Sequence, residues 1–376
     1  MKVRVLIVFG TRPEAIKLAP VVKVLRDSGG FDVKVCVTAQ HRQMLDQVLD
    51  TFEIQPDYDL DLMQAGQTLC DVTSRVFQAL PPVFDSFDPN VVVVQGDTVT
   101  TSTAALCAYY RKIPVAHVEA GLRTADLYSP WPEEGNRRVT SAISSFHFAP
   151  TESAAQNLFR EGFAPDRVWV TGNTVIDALL NASTLIDTPD KAPALADQFA
   201  FLNPGKRLIL VTGHRRESFG EKFENICKAL RDIAEDRDVE LVYPVHLNPN
   251  VQEPVNRLLG GVDNVFLIDP LDYLPFVYLM RRAHLIITDS GGVQEEAATF
   301  DTPVLVTREK TERTEAIEAG SAMLVGTDRQ TIVSATRNLL DSTEAYAAMA
   351  TARNAYGDGT ASLQIADTLS RKLACD

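Results

Sequence analysis

The chain alternates short apolar runs with longer segments in which apolar residues recur at helical spacing. Apolar runs without polar alternation are typical of strands in a parallel sheet that is covered on both faces. In the first half we predict strands at 3–8, 33–38, 91–95, 114–118, 146–149 and 168–171. The first predicted helix begins at Pro13, because proline suits the first helical position, and ends near Gly29 and Gly30.

A second series of strands is predicted at 208–212, 240–243, 265–268, 285–288 and 303–306. Strands alternating with helices indicate an α/β fold, with two Rossmann-like doubly wound parallel-sheet domains facing across a cleft. We expect the first domain at 1–174, a crossing region at 175–205 and the second domain at 206–356. The C-terminal helix, 357–376, is expected to pack back onto the first domain.

Length and composition agree with two domains and exclude several classes of protein. A chain of 376 residues exceeds the size at which single cores usually stop growing. No apolar run approaches the ~20 residues that a membrane span needs, and the apolar start is cut off at Gly10, too early for a signal peptide. The formal net charge of −14 disfavours nucleic acid as a partner. Five scattered cysteines predict a reducing, cytoplasmic location.

The stretch from Asp289 to Glu296, DSGGVQEE, joins a predicted strand to a helix through two adjacent glycines. Glycines let a ligand approach the backbone, and the N–H groups of a helix start attract anions. Glu296, about one turn further on, could accept hydrogen bonds from hydroxyl groups. The alternative is an ordinary tight turn with a solvated carboxylate, and this stretch alone leaves both interpretations open.

Carboxylates lie at the carboxyl ends of two predicted strands of the first domain. Asp97 follows the strand at 91–95, and Glu119 closes the next strand. The ordinary alternatives are a helix N-cap for Asp97 and a solvated strand end for Glu119. Because both lie beside a glycine at the end of a buried strand, we favour a functional role for the pair. Glu133 follows a proline-bracketed tryptophan, which fits either a rigid loop leading into a helix or a mount for a catalytic carboxylate.

Basic residues follow the first strand of each domain. Arg12 and Lys17 do so in the first domain, and His214 and Arg215 in the second. Arginine grips phosphate with two nitrogens, whereas lysine acts as a point charge. Arg313 lies in a mixed-charge run that follows the last predicted strand. Motifs for zinc hydrolysis, nicotinamide binding, a P-loop or a serine nucleophile do not occur in the sequence, so no metal or cofactor is predicted.

Over nearly its full length the chain resembles the non-hydrolysing UDP-N-acetylglucosamine 2-epimerase family. The matching motifs are FGTRPEAIK (9–17), TAQHR (38–42), GDT (96–98), HVEAGLRT (117–124), YSPWPEE (128–134), TGNT (171–174), GHRRE (213–217), PVHLNP (244–249), DSGGVQEE (289–296) and TER (311–313). The resemblance implies a GT-B glycosyltransferase-like fold, a homodimer, and conversion of UDP-N-acetylglucosamine to UDP-N-acetylmannosamine without a cofactor.

The resemblance also implies roles for individual residues. Ser290, Gly291 and Gly292 would contact the diphosphate, and Glu296 the ribose. The charged or sugar portion would be held by Arg12, Lys17 and Arg313, with Leu271 and Phe276 beside the uracil. Asp97, Glu119, Glu133 and His214 would be the acid/base candidates, and the sequence leaves open which of them removes the proton and which returns it.

Some members of this family bind a second UDP-N-acetylglucosamine as an activator. The residues that match that pocket are Gln40, His41, Gln43, Gln67 and His246. Gly66, however, stands where some members carry an arginine.

A retaining GT-B-type glycosyltransferase that uses a UDP-sugar is the alternative function. It would share the glycine-rich turn and the ribose carboxylate, but the motifs around Asp97, Glu119 and Glu133 match the epimerases.

Overall fold

A computed structural model describes residues 2–39, 42–64, 66–124, 126–235, 238–311 and 313–373, without the side chain of Gln43. The chain divides into two compact units. Unit 1 comprises 1–178 with 356–376, and unit 2 comprises 179–355. Among the described residues, no helix combines the length and the apolar character that crossing a membrane requires.

Unit 1 contains a parallel sheet of seven strands among the described residues, in the order β3-β2-β1-β4-β5-β6-β7. The strands are β1 (Val3–Phe9), β2 (Phe31–Val37), β3 (Tyr58–Asp59), β4 (Val91–Gln95), β5 (Val115–Val118), β6 (Phe146–Ala149) and β7 (Val168–Val170). The helices are α1 (Arg12–Asp27), α2 (Arg42–Thr51), α3 (Leu69–Phe87), α4 (Val99–Tyr110), α5 (Glu133–Ile143), α6 (Glu152–Arg160) and α7 (Thr174–Ile186).

Unit 2 begins within α7 and contains a parallel sheet of six strands, again counting the described part of the chain, in the order β10-β9-β8-β11-β12-β13. The strands are β8 (Arg207–Thr212), β9 (Val239–Pro244), β10 (Val265–Ile268), β11 (Leu285–Thr288), β12 (Val304–Val306) and β13 (Ala322–Leu324). The helices are α8 (Ala192–Gln198), α9 (Glu221–Ile233), α10 (Pro249–Leu259), α11 (Tyr273–Arg282), α12 (Gly291–Glu296), α13 (Thr314–Ala319), α14 (Arg329–Asp341) and α15 (Thr343–Ala350). The last helix, α16 (Ala361–Leu373), returns to unit 1.

Each sheet is buried on both faces, as its apolar strands predict. In unit 1, Val5 and Ile7 share a core with α1 and with Ile365 of α16, while Leu6 and Val8 pack with α3 and α4 on the other face. In unit 2, Ile209 packs with α9 and α10. Two doubly wound parallel sheets are therefore confirmed. The sequence missed the short strands β3 and β13.

Candidate functional site

In unit 1, the loops that carry the predicted site residues lie side by side. Strand β1 pairs with β4, and β4 pairs with β5, all in parallel. Their carboxyl ends therefore meet at one edge of the sheet, which is where open α/β sheets bind ligands. Arg12 and Lys17 follow β1, Asp97 follows β4 and Glu119 follows β5.

Glu119 is buried, with 7% of its surface exposed. Its Oε1 accepts hydrogen bonds from Lys17 Nζ at 2.5 Å and from Asn173 Nδ2 at 3.1 Å, and its Oε2 accepts one from Gln95 Nε2. Its backbone has a φ of 63°, a left-handed conformation that is uncommon outside glycine and clusters at functional sites. The alternative of a solvated strand end is therefore wrong.

Asp97 accepts two hydrogen bonds from the buried Arg137, whose Nε and Nη2 lie 3.1 and 2.7 Å from Asp97 Oδ2. The Nη1 of Arg137 donates to Glu134 Oε2 at 2.9 Å, and Glu134 is wholly buried. Thr98, not Asp97, caps α4, since its hydroxyl accepts from Thr101 N. The helix-cap alternative for Asp97 is therefore wrong, because Asp97 lies one residue before the cap and its carboxylate binds Arg137 instead.

Glu133 is the first residue of α5, directly after Pro132 at the N-cap. The interpretation of a loop leading into a helix is confirmed. It does not exclude chemistry, because the Oε2 of Glu133 is buried and has no hydrogen-bond partner among the described residues. The exposed Trp131 precedes it in the loop.

In unit 2, the glycine-rich turn joins β11 to α12, with Ser290 at the N-cap. Ser290 N donates to Thr288 Oγ1 at 2.9 Å, and Gln294 Nε2 donates to Ser290 O at 3.0 Å. A side chain at Gly292 would first meet Glu296 Oε1, 3.9 Å from the position of its Cβ. The glycine and the candidate ribose carboxylate are therefore neighbours on α12.

His214 lies after β8, which is the neighbour of β11. The buried Asp289 fixes this loop, because its Oδ2 accepts from His214 N at 2.7 Å and from Arg215 N at 2.8 Å. Tyr243 Oη donates to Gly213 O at 2.8 Å, and a Cβ on Gly213 would lie only 3.0 Å from that hydroxyl. Burial lowers the pKa of His214, an effect that the nearby carboxylate of Asp289 opposes.

The other predicted ligand-binding residues of unit 2 lie in the segments that follow β10 and β12. Arg313 follows β12 and donates from Nε to Glu295, while its backbone N donates to Thr311 Oγ1 at 3.1 Å. Leu271 follows β10, and the partly buried Phe276 lies on α11.

The predicted activator residues fall in both units. Gln40 and His41 lie outside the described residues, and Gln43 is described only as part of α2. In unit 1, Gln67 Oε1 accepts from Arg75 Nη1 at 3.2 Å. In unit 2, the ring of His246 stacks on that of His214 with centroids 5.2 Å apart.

Further polar residues contact the predicted site residues, although sequence reasoning did not single them out. These are Gln95 and Asn173 around Glu119, Arg137 beside Asp97, and Asp289 beside His214. Their positions were the available signal, because Asn173 and Asp289 lie within family motifs and Gln95 and Arg137 lie within three residues of one. No cluster of three or more potential metal ligands occurs in the described part of the chain.

The fold and these strand-end clusters define a two-domain α/β protein with paired carboxylates at strand ends in one unit and a glycine-rich turn at a helix start in the other. The family model for UDP-N-acetylglucosamine 2-epimerase matches residues 23–370. The chain is 58% identical over 368 residues to the UDP-N-acetylglucosamine 2-epimerase of Yersinia pestis, covering 97% of this chain and 98% of that one. The chain belongs to the UDP-N-acetylglucosamine 2-epimerase family.

Solved structures of this family resemble the present one. The UDP-GlcNAc 2-epimerase from Neisseria meningitidis bound to UDP-GlcNAc is 49% identical with a TM-score of 0.90, covering 98% of this chain and 100% of that one. The enzyme from Methanocaldococcus jannaschii in complex with UDP-GlcNAc and UDP is 33% identical with a TM-score of 0.79, covering 98% and 99%. The predicted GT-B-like fold class is thereby confirmed.

Proposed function

We propose that this protein reversibly converts UDP-N-acetylglucosamine to UDP-N-acetylmannosamine by inverting C2 of the sugar. One observation carries the proposal beyond family membership. In unit 1, two carboxylates with cationic partners, Asp97 and Glu119, stand at the ends of adjacent strands β4 and β5. Acid/base groups of this kind are what an exchange of the C2 proton requires.

The C2 proton is not acidic, so direct removal and return would be slow. In the proposed reaction a base takes the C2 proton while the C1–O bond breaks, and the bond electrons leave with UDP. The product is 2-acetamidoglucal, with a double bond between C1 and C2. Re-addition of the UDP oxygen to C1, with a proton delivered to the opposite face of C2, gives the epimer. All atoms and electrons of the reaction are supplied by the substrate and the acid/base groups, so the reaction needs no cofactor.

The reaction divides the candidate residues into two groups. Asp97, Glu119, Glu133 and His214 form the acid/base set that handles the C2 proton. Cations and N–H donors stabilise the departing diphosphate.

We assign the diphosphate to Ser290, Gly291 and Gly292, and the ribose to Glu296. Leu271 and Phe276 border the uracil. Arg12, Lys17 and Arg313 bind the charged or sugar portion of the substrate.

We further propose a cytoplasmic homodimer that supplies N-acetylmannosamine units for bacterial surface polysaccharide. A second UDP-N-acetylglucosamine would act as an activator at Gln40, His41, Gln43, Gln67 and His246. The family resemblance at those positions supports this part of the proposal.

The test is incubation with UDP-N-acetylglucosamine in deuterium oxide, followed by NMR of the C2 position. We expect UDP-N-acetylmannosamine to form and deuterium to enter C2 of both sugars. Glu119→Gln should abolish both changes, whereas Asp85→Asn, at an exposed carboxylate of the same unit, should leave them intact. An unchanged substrate, or free sugar as the main product, would refute the proposal.

A further inference from the structure

One buried carboxylate of unit 1 belongs to none of the roles assigned above. Glu14 lies in the first turn of α1 and is 1% exposed. Its Oε2 accepts hydrogen bonds from two backbone groups of the β1–α1 loop, Gly10 N at 3.0 Å and Thr11 N at 2.8 Å. The bond from Thr11 N belongs to an N-terminal capping box, and both bonds fix the loop from which Arg12 and Lys17 project.

The second oxygen of Glu14 binds a different loop. Its Oε1 accepts from Thr98 Oγ1 at 2.6 Å and from Thr101 Oγ1 at 2.9 Å, both at the start of α4. Thr98 directly follows Asp97 in the chain. Thr101 Oγ1 also lies 2.6 Å from the backbone oxygen of Gln95, the residue whose side chain donates to Glu119. A single carboxylate therefore joins the loop after β1 to the loop after β4.

Helix capping alone does not explain this arrangement. A capping-box glutamate needs to accept a hydrogen bond only from the backbone of its own loop, and a glutamate at the surface can do so. Here the carboxylate is buried, and burial raises its pKa against the opposing effect of the hydrogen bonds from Thr98, Gly10, Thr11 and Thr101. Keeping a carboxylate in such a place is costly unless its hydrogen bonds are all made. Two backbone N–H groups and the Thr98 hydroxyl supply such bonds, and the Thr101 hydroxyl shares its single proton between Glu14 and the backbone oxygen of Gln95. Together they tie two chain segments that are 84 to 87 residues apart.

We propose that Glu14 is a positioning residue for the C2 chemistry, whose carboxylate holds Asp97 in register with Lys17 and, through Lys17 and Gln95, with Glu119. The inference rests on the proposed function, because Asp97 and Glu119 matter only if they act on the sugar. Glu14 itself need not touch the substrate. Its influence is geometric, and a misplacement of about 1 Å can lower a rate by about 100-fold.

The experiment compares kcat and KM for Glu14→Ala and Glu14→Gln in the epimerase assay, with folding checked by circular dichroism. Alanine removes all four contacts. Glutamine keeps an oxygen for Gly10 and Thr11, and its amide can donate to the two threonine hydroxyls if these reverse. We expect Glu14→Ala to lose about 100-fold in kcat with a smaller change in KM, and Glu14→Gln to recover at least about a tenth of the wild-type kcat, a residual barrier of about 1.4 kcal/mol.

A second pair keeps the test decisive if Glu14→Ala does not fold. Thr101→Val preserves the shape of a fully buried side chain but deletes the hydroxyl, whereas Thr101→Ser keeps the hydroxyl. The valine variant should lose kcat and the serine variant should retain it. Asp85→Asn is the control for an unrelated carboxylate.

The outcomes separate the two proposals. If the wild-type protein epimerises and the alanine and valine variants stay within about twofold of its kcat, the positioning role is refuted and the proposed function stands. Equal losses of kcat in Thr101→Val and Thr101→Ser would also refute it, since packing rather than the hydroxyl would then be responsible. An inactive wild-type protein would overturn the proposed function and this inference together.

Discussion

Replacing Asp289 by asparagine should separate the two tasks that its carboxylate performs in unit 2. The Oδ2 of Asp289 holds the backbone of His214 and Arg215, while its Oδ1 lies 3.8 Å from the Nδ1 of the His214 ring. Asparagine keeps one oxygen, which can still accept both backbone N–H groups. It removes the negative charge beside the imidazole.

The effect on stability follows from the two backbone contacts. A hydrogen bond to a charged group contributes about 1.5–3 kcal/mol, so Asp289→Ala, which removes two of them, should lower the free energy of unfolding by about 3–6 kcal/mol. Neutral hydrogen bonds are roughly half as strong. Asp289→Asn should therefore lose about half as much, and the loop after β8 should stay in place.

The effect on charge concerns the pKa of His214. Burial lowers this pKa, Asp289 raises it, and the neighbouring His246 lowers it. Removing the carboxylate should therefore lower the pKa further. His246→Gln should shift it in the opposite direction, because it removes a like charge while keeping an acceptor for Asn248 N.

The pH dependence of stability has a definite sign. Where the pH lies between the lowered pKa of folded His214 and the ordinary value of about 6.5, the unfolded chain binds a proton that the folded protein lacks. Stability then rises with pH through that window, and Asp289→Asn extends the window downward. The free energy of unfolding of this variant, relative to wild type, should fall as the pH is lowered through the pKa that His214 has in the folded wild-type protein, which lies below the ordinary value.

The assay is an NMR titration of the imidazole signals, with that of His214 assigned from its absence in His214→Gln. Chemical denaturation at several pH values gives the stability. A His214 pKa in Asp289→Asn that is unchanged or higher than in wild type would refute the electrostatic reasoning. A stability loss as large as that of Asp289→Ala would refute the claim that one oxygen is enough to hold the loop.

Three further substitutions test separate parts of the account. Glu296→Ala should weaken UDP binding about tenfold, measured by titration calorimetry, as expected for one lost hydrogen bond to a charged acceptor; unchanged UDP affinity with a purely catalytic defect would contradict the ribose assignment. Arg137→Met should lower the free energy of unfolding by about 1.5–3 kcal/mol in denaturant, because the wholly buried Glu134 loses one charged hydrogen bond while keeping Arg138 as its other cationic partner; a loss below about 0.5 kcal/mol would show that the Arg137–Glu134 pair is dispensable. Gly121→Ala should cost clearly more stability than Gly162→Ala, because the two glycines have φ of 91° and 89° but only the Cβ at 121 meets a backbone oxygen, at 2.2 Å; equal losses would mean that the backbone angle alone sets the cost.

The strands were predictable because each is a run of apolar residues that must be covered on two faces. The predicted strand at 91–95 is exact, and that at 285–288 also matches β11. The strands β3 and β13 were missed for a physical reason. Strand β3 has two residues, one of them Asp59, and β13 is an apolar run of only three residues, Ala322 to Leu324, so both are too short to be distinguished from loop by their pattern.

The candidate site was predictable where a motif and a strand end coincide, as for Asp97 and Glu119. The contacts between residues of the site were not predictable. Asn173 lies 54 residues from Glu119, and Arg137 lies 40 residues from Asp97, so only the folded sheet brings them together. The left-handed backbone of Glu119 was also hidden, because nothing in a glutamate residue favours that conformation.

The central claim is that UDP leaves C1 during the inversion at C2. The most direct test uses UDP-N-acetylglucosamine carrying ¹⁸O in the bridge between C1 and the β-phosphorus, with the label followed by ³¹P NMR. If UDP departs and returns, the bridging ¹⁸O should move into the non-bridging oxygens of the β-phosphate as the epimer forms. Inversion at C2 with the ¹⁸O held entirely in the bridge, and with neither UDP nor 2-acetamidoglucal released during prolonged incubation, would contradict the account, because no trace of C1–O cleavage would then exist.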